Sequence, residues 1–373
     1  MISKNFKEIA VLFFKLGCIG FGGPAAHIAM MRKEVVDRHR WMSDNHFLDL
    51  VGATNLIPGP NSTEMAIHLG YEKGGWKGLL IAGLCFILPA VCITLVFAWL
   101  YKTYGQLPEI EPYIYGIQPA IIAIILAAVI PLAKKSLKNK LLGIIGLAAL
   151  LLSFLNIGEI YILFGAGFTG LMIQYFKNKK CIAHNNYILL TCFSKTAVTA
   201  ISNTKFFLLF LKIGAILYGS GYVLFAFLDT ELVQTGIISQ QQLTDAIVVG
   251  QFTPGPVFSA VTFIGYQVNG FTGAALATVG IFLPSFLFVA LLHPLVKQMR
   301  NSVLFSSFLD AVNIASVAVI VAICYEMGKT SVTDWRTVII ALSSLIVAFG
   351  FPKINSAFVV LGSAALGYLL FLI

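Results

Sequence analysis

The sequence predicts an all-α, polytopic integral membrane protein made of two inverted-topology repeats, with about ten full crossings plus re-entrant or broken helices at two Gly/Pro motifs. Three observations carry this expectation: an apolar composition, sequence blocks that recur in order in the second half, and loops of opposite charge at equivalent places. The 373-residue chain is 58% hydrophobic and only 11% charged, with mean hydropathy +0.88. A soluble domain carries about 25% charged residues, so lipid must solvate this surface. Apolar runs recur at 78–101, 113–133, 141–155, 160–176, 274–296, 303–325, 338–351 and 357–373. A span needs roughly 20 apolar residues, fewer where end residues snorkel. The first partner of the chain is therefore the bilayer.

The net charge of +9 does not indicate nucleic acid. The basic residues lie in short clusters between spans, at Arg32 to Arg40, Lys134 to Lys140, Lys177 to Lys180, and Lys297 with Arg300. A cytoplasmic membrane face collects such clusters. The six cysteines, Cys18, Cys85, Cys92, Cys181, Cys192 and Cys324, form no CxxC pair. They read as small core residues, with no disulfide framework, metal spacing or cofactor motif. The N-terminal apolar run continues into Gly22-Gly23-Pro24 and a basic segment, so it reads as a first membrane element rather than a cleaved signal.

The two halves align. FFKLGCIGFGG (Phe13 to Gly23) matches FLKIGAILYGS (Phe210 to Ser220), and LDLVGATNLIPGP (Leu48 to Pro60) matches TDAIVVGQFTPGP (Thr244 to Pro256). HLGYEKGGWKG (His68 to Gly78) matches FIGYQVNGFTG (Phe263 to Gly273), and Pro89 matches Pro284. This divides the chain into an N-terminal repeat over 1–180, a connecting segment over 181–205 and a C-terminal repeat over 206–373. The segment Asn185 to Lys205 reads either as a linker or as one short extra crossing, and the choice decides the side of the N-terminus. The loop after the first Gly motif is basic, RKEVVDRHR, whereas its equivalent over Leu228 to Asp245 is acidic and has no Lys or Arg. Equivalent loops on opposite faces mean inverted repeats.

Proline removes a backbone donor and glycine loosens a helix, and in hydrocarbon each freed group costs several kcal/mol unless something satisfies it. The breaks at Pro58-Gly59-Pro60 and Pro254-Gly255-Pro256 therefore belong where protein or a watery cavity surrounds them. Asn61, Ser62 or Thr63 can cap a new helix after the first break. Helix starts converging on the midplane from both repeats would offer N–H groups and positive dipole ends to an anion; the plainer reading is a tight turn. Gly22, Gly23 and Pro24, with Tyr218 to Gly221 as their counterpart, form a second pair of breaks that serve either a site or close helix contact.

Polar residues inside apolar runs complete the candidate set. Lys15 and Lys212 are equivalent and attract a divalent anion or snorkel to an interface. Asp49 and Asp245 are equivalent and carry a proton or cap a helix start. Asn55 and Gln251 are equivalent amides placed as donors before each break, with Thr253 beside the second. Glu64 and His68 share a helix face and have no ionisable counterpart in the second half, which suits them to coupling; the bland alternative is a Glu–His hydrogen bond. His27 likewise has no symmetric partner.

At these motifs the sequence resembles the chromate ion transporter family. The resemblance rests on FKLGCIGFGGPAAHIAMMRKEVV (Phe14 to Val36), LIPGPNSTEMAIHLGY (Leu56 to Tyr71) and GQFTPGPVFSAVTFIGYQVNGFTGAALATVGIFLPSF (Gly250 to Phe286), and it covers nearly the whole chain. It implies a bacterial inner-membrane transporter of oxyanions, linked to chromate efflux and resistance, with sulfate as an analogue and two homologous halves. The family's first motif usually reads Ser-Phe-Gly-Gly-Pro; this chain has Gly20 in place of that serine. The expected function is secondary transport of chromate driven by the membrane potential or the proton gradient, with a homodimer left open. A passive anion channel, or a carrier of sulfate or another oxyanion, is the alternative. No GxxxxGK[ST] motif supports ATP drive, and no nucleophile–base pair supports an enzyme.

Overall fold

A computed structural model describes residues 2–21, 23–54, 57–105, 111–155, 157–177, 202–218, 221–292, 302–351, 354 and 356–372. Among these the first repeat comprises α1 (Ile2–Ile19), α2 (Gly23–Arg32), a π-helical turn (Lys33–Arg38), α3 (Asp44–Thr54), α4 (Asn61–Tyr104), α5 (Glu111–Ser136), α6 (Lys140–Phe154) and α7 (Glu159–Lys177). The second comprises α8 (Asn203–Ile216), α9 (Val223–Leu228), a π-helical turn (Asp229–Val233), α10 (Gln240–Phe252), a 3-10 turn (Val257–Ser259), α11 (Ala260–Leu292), α12 (Val303–Ser331), α13 (Trp335–Gly350) and α14 (Ser356–Phe371). Apart from the 3-10 turn Val257–Ser259, which only the second repeat has, the repeats correspond element for element, down to the π-helical turns.

Each repeat begins with two helical hairpins. Lys15 pairs with Glu34 at 3.0 Å and Trp41 donates to Glu8 at 3.0 Å, so the chain after the first break runs back along α1. His46 meets Glu72 at 3.4 Å, which places the start of α3 beside the end of α4's first arm. Lys212 and Glu231 repeat the first pairing at 2.6 Å. α4 then reverses at Gly74 and Gly75, and α11 at Asn269 and Gly270. Gly75 (φ 59, ψ −149) and Gly270 (φ 56, ψ −146) adopt nearly the same conformation, one open only to glycine. A Cβ on Gly70 would lie 2.4 Å from the Gly78 carbonyl oxygen, and one on Gly265 2.4 Å from that of Gly273, so bare backbones touch across both hairpins.

The second arm of α4 is followed by α5, α6 and α7, and the second arm of α11 by α12, α13 and α14. Five helices are long and apolar enough to cross a membrane, 61–104, 112–136, 159–176, 257–291 and 303–331, and three shorter apolar ones accompany them. Their outward faces carry Leu84, Ile144, Leu147, Leu151, Ile346 and Phe358, all exposed as a lipid-facing surface requires.

Contacts fix the sense of the repeats. Glu8, Trp41, Glu72 and Lys73 gather at one end of the bundle, where the Arg32–Arg40 cluster also lies. Asn203 and Asn269, the equivalent turn of the second repeat, bond at 2.6 Å, and Gln267 donates to the Ala98 carbonyl at 3.0 Å, near the far end of α4. Equivalent turns thus sit at opposite ends, the inverted arrangement that loop charge indicated. α7 ends at the basic end and α8 starts at the other. The segment left as linker or crossing, 181–205, lies outside the described residues up to 201.

The repeats also exchange partners. α5 packs on α13 and α14, while α12 packs on α6 and α7. Gly116 abuts Gly367 at the first crossing and Gly170 abuts Ala311 at its counterpart. Small residues let these backbones approach where lipid supplies no hydrophobic drive between helices.

Candidate functional site

The breaks meet at the centre, crosswise. The Gly59 N–H donates to the Leu217 carbonyl at 2.7 Å, and the Gly255 N–H donates to the Gly20 carbonyl at 2.7 Å. Each Pro-Gly-Pro turn is thus held by the hairpin tip of the opposite repeat. Both glycines have positive φ, 135° and 94°, which the flanking prolines cannot adopt. Pro58, Gly59, Pro60, Pro254, Gly255 and Pro256 are all buried, so protein encloses the broken backbone, as its unsatisfied groups demand.

Local capping differs from the expectation. Pro60 is the N-cap of α4 and no side chain caps it, so Asn61, Ser62 and Thr63 lie inside the first turn. The pyrrolidine pre-sets the entry and leaves a hydroxyl cap no place before the helix. Thr63 and Glu64 N–H groups return to the Pro60 carbonyl at 2.8 and 3.0 Å. The donors of Gly59 and Gly255, expected to face substrate, are engaged by the opposite repeat.

Buried polar side chains concentrate around the first turn. Ser62, Thr63, Glu64 and His68 are almost fully buried on one arm, and Ser285 of α11 faces them with no exposure. A Cβ on Gly59 would lie 2.4 Å from Glu64 Oε1 and 2.5 Å from Ser285 Oγ. Tyr218, in the break of the second repeat, is a further neighbour of Glu64. Around the second turn the surroundings are milder: a Cβ on Gly255 would meet Ala90 Cβ at 2.9 Å and the Gly17 carbonyl oxygen at 3.3 Å. Ala90 and Ser285 each follow the equivalent prolines, Pro89 and Pro284. Thr94 donates to Ser259 at 3.3 Å nearby.

His27 lies at the other break. Its Nε2 is 2.9 Å from the Gly20 carbonyl oxygen, and its ring stands edge-on to Phe86 at 5.5 Å. A Cβ on Gly20 would lie 2.6 Å from the Leu16 carbonyl oxygen and 3.0 Å from the His27 ring, so backbone and histidine together close the space a serine side chain would need. Gly23 (φ 77) opens α2, with Pro24 in its first turn.

The remaining expected residues fall elsewhere. Lys15 and Lys212 are partly exposed and engage Glu34 and Glu231. Asp245 lies mid-way along α10, whose start is capped instead by a Ser239/Gln242 capping box. Its buried carboxylate accepts from Tyr101 at 2.6 Å, Gln118 at 3.2 Å and Gln241 at 3.4 Å, which ties α10 to α4 and α5. Gln251 is buried beside Tyr222, and Thr253 caps the end of α10, its hydroxyl donating to the Val249 carbonyl at 2.7 Å. Asn55, Gly22 and the Asp49 side chain lie outside the described residues. Tyr218 falls in a break the sequence offered for either a site or close helix contact, whereas Ser285 escaped sequence reasoning; its one signal was a hydroxyl after Pro284 where the first half has Ala90.

The two ends differ in charge. Arg32, Lys33 and Arg38 mark the π-helical turn of the first repeat, and Asp229 and Glu231 that of the second. A cavity of about 50 Å³ at the latter end is lined by Glu159, Asp229, Thr230 and Glu326, a set that repels anions. Among the described residues no group of three His, Cys, Asp or Glu suits a metal ion.

Comparison with known proteins adds an independent line. The family model described as "Chromate transporter" matches residues 7–171 and 204–368, one match per repeat. A "Chromate transport protein" of Cupriavidus metallidurans is 30% identical, over 97% of this chain and 92% of that protein. A "Probable chromate transport protein" of Synechococcus elongatus is 30% identical, over 94% of this chain and 91% of its own length. One from Pseudomonas aeruginosa, named "Chromate transport protein", is 26% identical over 98% of this chain and 93% of its length. No solved structure matches.

Proposed function

Since the chain belongs to the chromate transporter family, a family of multi-pass membrane transporters, we propose that it exports chromate, a tetrahedral dianion, across the bacterial inner membrane and thereby confers chromate resistance. The carrying observation is the crosswise bonding of each Pro-Gly-Pro turn to the opposite hairpin tip, beside a cluster of buried polar side chains. Two inverted repeats that meet at such a point suit alternating access, in which one repeat rocks against the other around a central site.

The anion enters at the end bearing Arg32, Lys33 and Arg38, which the positive-inside rule places in the cytoplasm. It passes the first turns of α4 and the second repeat, where Asn61, Ser62 and Thr63 offer donors near a positive helix end. It leaves past Asp229 and Glu231, whose charge disfavours its return. An inside-negative potential drives this at about 2.3 kcal/mol per charge per 100 mV, hence roughly 4.6 kcal/mol for a dianion.

A passive anion channel is the second reading. The enclosed Pro-Gly-Pro turns favour a carrier, because a conducting pore leaves its constriction wetted. The test is chromate uptake into inside-out vesicles with an imposed inside-positive potential, with and without excess sulfate, beside an Asn61→Ala/Ser62→Ala variant. Saturable uptake lost in the variant supports export through the turn. Non-saturating flux favours the channel, and uptake no greater than in empty vesicles removes chromate as substrate.

A further inference from the structure

Polar groups that ought to be satisfied converge, under-satisfied, on one glycine. Among the described residues, Glu64 and Ser285 are buried with no side-chain partner beyond each other, and Thr63 Oγ1 is buried without one. Glu64 Oε1 and Ser285 Oγ flank the same point, 2.4 and 2.5 Å from where a Gly59 Cβ would be. One comes from each repeat, so the pair exists only in the assembled halves. Buried polar groups in native proteins are nearly always paired, and an exception requires an explanation such as a ligand or a catalytic role.

The pseudo-symmetric position has no such pair. Ala90 stands for Ser285 beside Gly255, and Ser259 or Ala260 stands for Glu64, depending on which side of a one-residue length difference the halves are matched. An ionisable group is thus present on one side of the axis only. Facing it are the Tyr218 hydroxyl from the second repeat and His68, one turn along its own helix. α11 supplies only the Ser285 hydroxyl, and among the described residues no lysine or arginine pairs with Glu64. The Asp49 side chain lies outside the described set.

We propose that Glu64, together with Ser285, is a proton-binding site linked to the transported dianion. The proposal rests on the transport reading above. An ionised carboxylate at the turn and a dianion at the same turn exclude each other, since neither is neutralised by a cation there. Protonated Glu64 becomes a donor, and Ser285 is placed to accept from it or to donate to the anion. Each dianion bound therefore brings one proton onto Glu64. By linkage, affinity for the dianion rises about tenfold per unit fall in pH wherever Glu64 is ionised in the anion-free protein.

The test uses the purified full chain in lipid nanodiscs, with sulfate as the probe because it stays dianionic across the neutral range. At pH values where the infrared titration shows Glu64 ionised in the sulfate-free protein, calorimetry in two buffers of different protonation enthalpy is expected to show one proton taken up per sulfate bound, and none in Glu64→Gln. The Gln variant is expected to bind with a flat pH profile, and Ser285→Ala to move the midpoint of the profile while keeping its slope. The same slope in wild type and Glu64→Gln overturns the proposal. A substrate-free infrared titration runs alongside: a protonated-carboxyl band present in wild type is expected to vanish in Glu64→Gln. If neither sulfate nor chromate binds, the transport reading falls, and a missing Glu64 band then overturns the proton site by itself.

Discussion

Replacing Gly75 by alanine isolates the backbone cost of the reversal in α4. At Gly75 the dihedrals are φ 59 and ψ −149, and no atom lies within 4 Å of the place a Cβ would take. The substitution therefore meets no steric wall from its neighbours; its whole cost is the strain of holding an L-residue in a glycine-only region, about 1–3 kcal/mol. Gly270 has φ 56, ψ −146 and the same open surroundings, so Gly270→Ala is expected to cost the same. The two sites are far apart, so the double variant should lose the sum, about 2–6 kcal/mol. Thermal unfolding of the purified protein, followed by the loss of the monodisperse peak in size-exclusion chromatography, reads the shift. Transport per folded molecule should stay unchanged, because neither turn touches the central breaks. Unchanged stability in Gly75→Ala, or a large difference between the two single variants, would refute both the turn conformation and the equivalence of the repeats.

Other expectations follow the same physics. Gly20→Ser puts a Cβ 2.6 Å from the Leu16 carbonyl oxygen and 3.0 Å from the His27 ring, so it should lower transport in the vesicle assay, and adding His27→Ala should not restore it because the backbone clash remains. Tyr101→Phe removes a 2.6 Å hydrogen bond to the buried Asp245; unfolding should show a loss of about 2 kcal/mol, within the range for a bond to a charged group. Gly236 has φ 77 and nothing near it, while its counterpart Arg40 has φ 50; Gly236→Ala should cost about 1 kcal/mol and Arg40→Gly should raise the melting temperature. Lys15, hydrogen-bonded to Glu34, and then Arg38 hold the Glu34 carboxyl below the usual value. A depressed folded value gives stabilisation that is present above the unfolded glutamate value of about 4.3 and lost as pH falls through the lower folded one. Melting temperature should therefore drop on acidification in wild type, and less so in Lys15→Met.

The duplication, its inversion and the two breaks were legible in the sequence because each leaves a local mark: a repeated block, a loop of reversed charge, a proline in an apolar run. What pairs with what was not. Lys15 and Lys212 looked like free cations at depth, since nothing in a linear reading shows that a residue 19 positions on, Glu34 or Glu231, folds back to meet each of them. Asp245 read as a cap or a proton carrier, yet it sits mid-helix against Tyr101, 144 residues away. Ser285 was invisible for the same reason: its importance comes from a turn supplied by the other half. The reversals at Gly75 and Gly270 were hidden although Glu72, Lys73 and Lys77 surround the first, because a glycine beside an apolar run shows a break but not the direction the chain takes after it.

The exchanged packing of α5 and α12 has a consequence for synthesis. Gly116 finds its close partner at Gly367, near the very end of the chain. A ribosome adds about 5–20 residues per second, so α5 waits on the order of ten seconds to a minute in the membrane before its partner is made. Through that interval its small-residue face lies open to lipid and to other nascent helices. Neither half can settle as a finished unit ahead of the other, and the N-terminal repeat is expected to depend on insertion machinery or chaperones to hold it unpaired until the last two helices arrive.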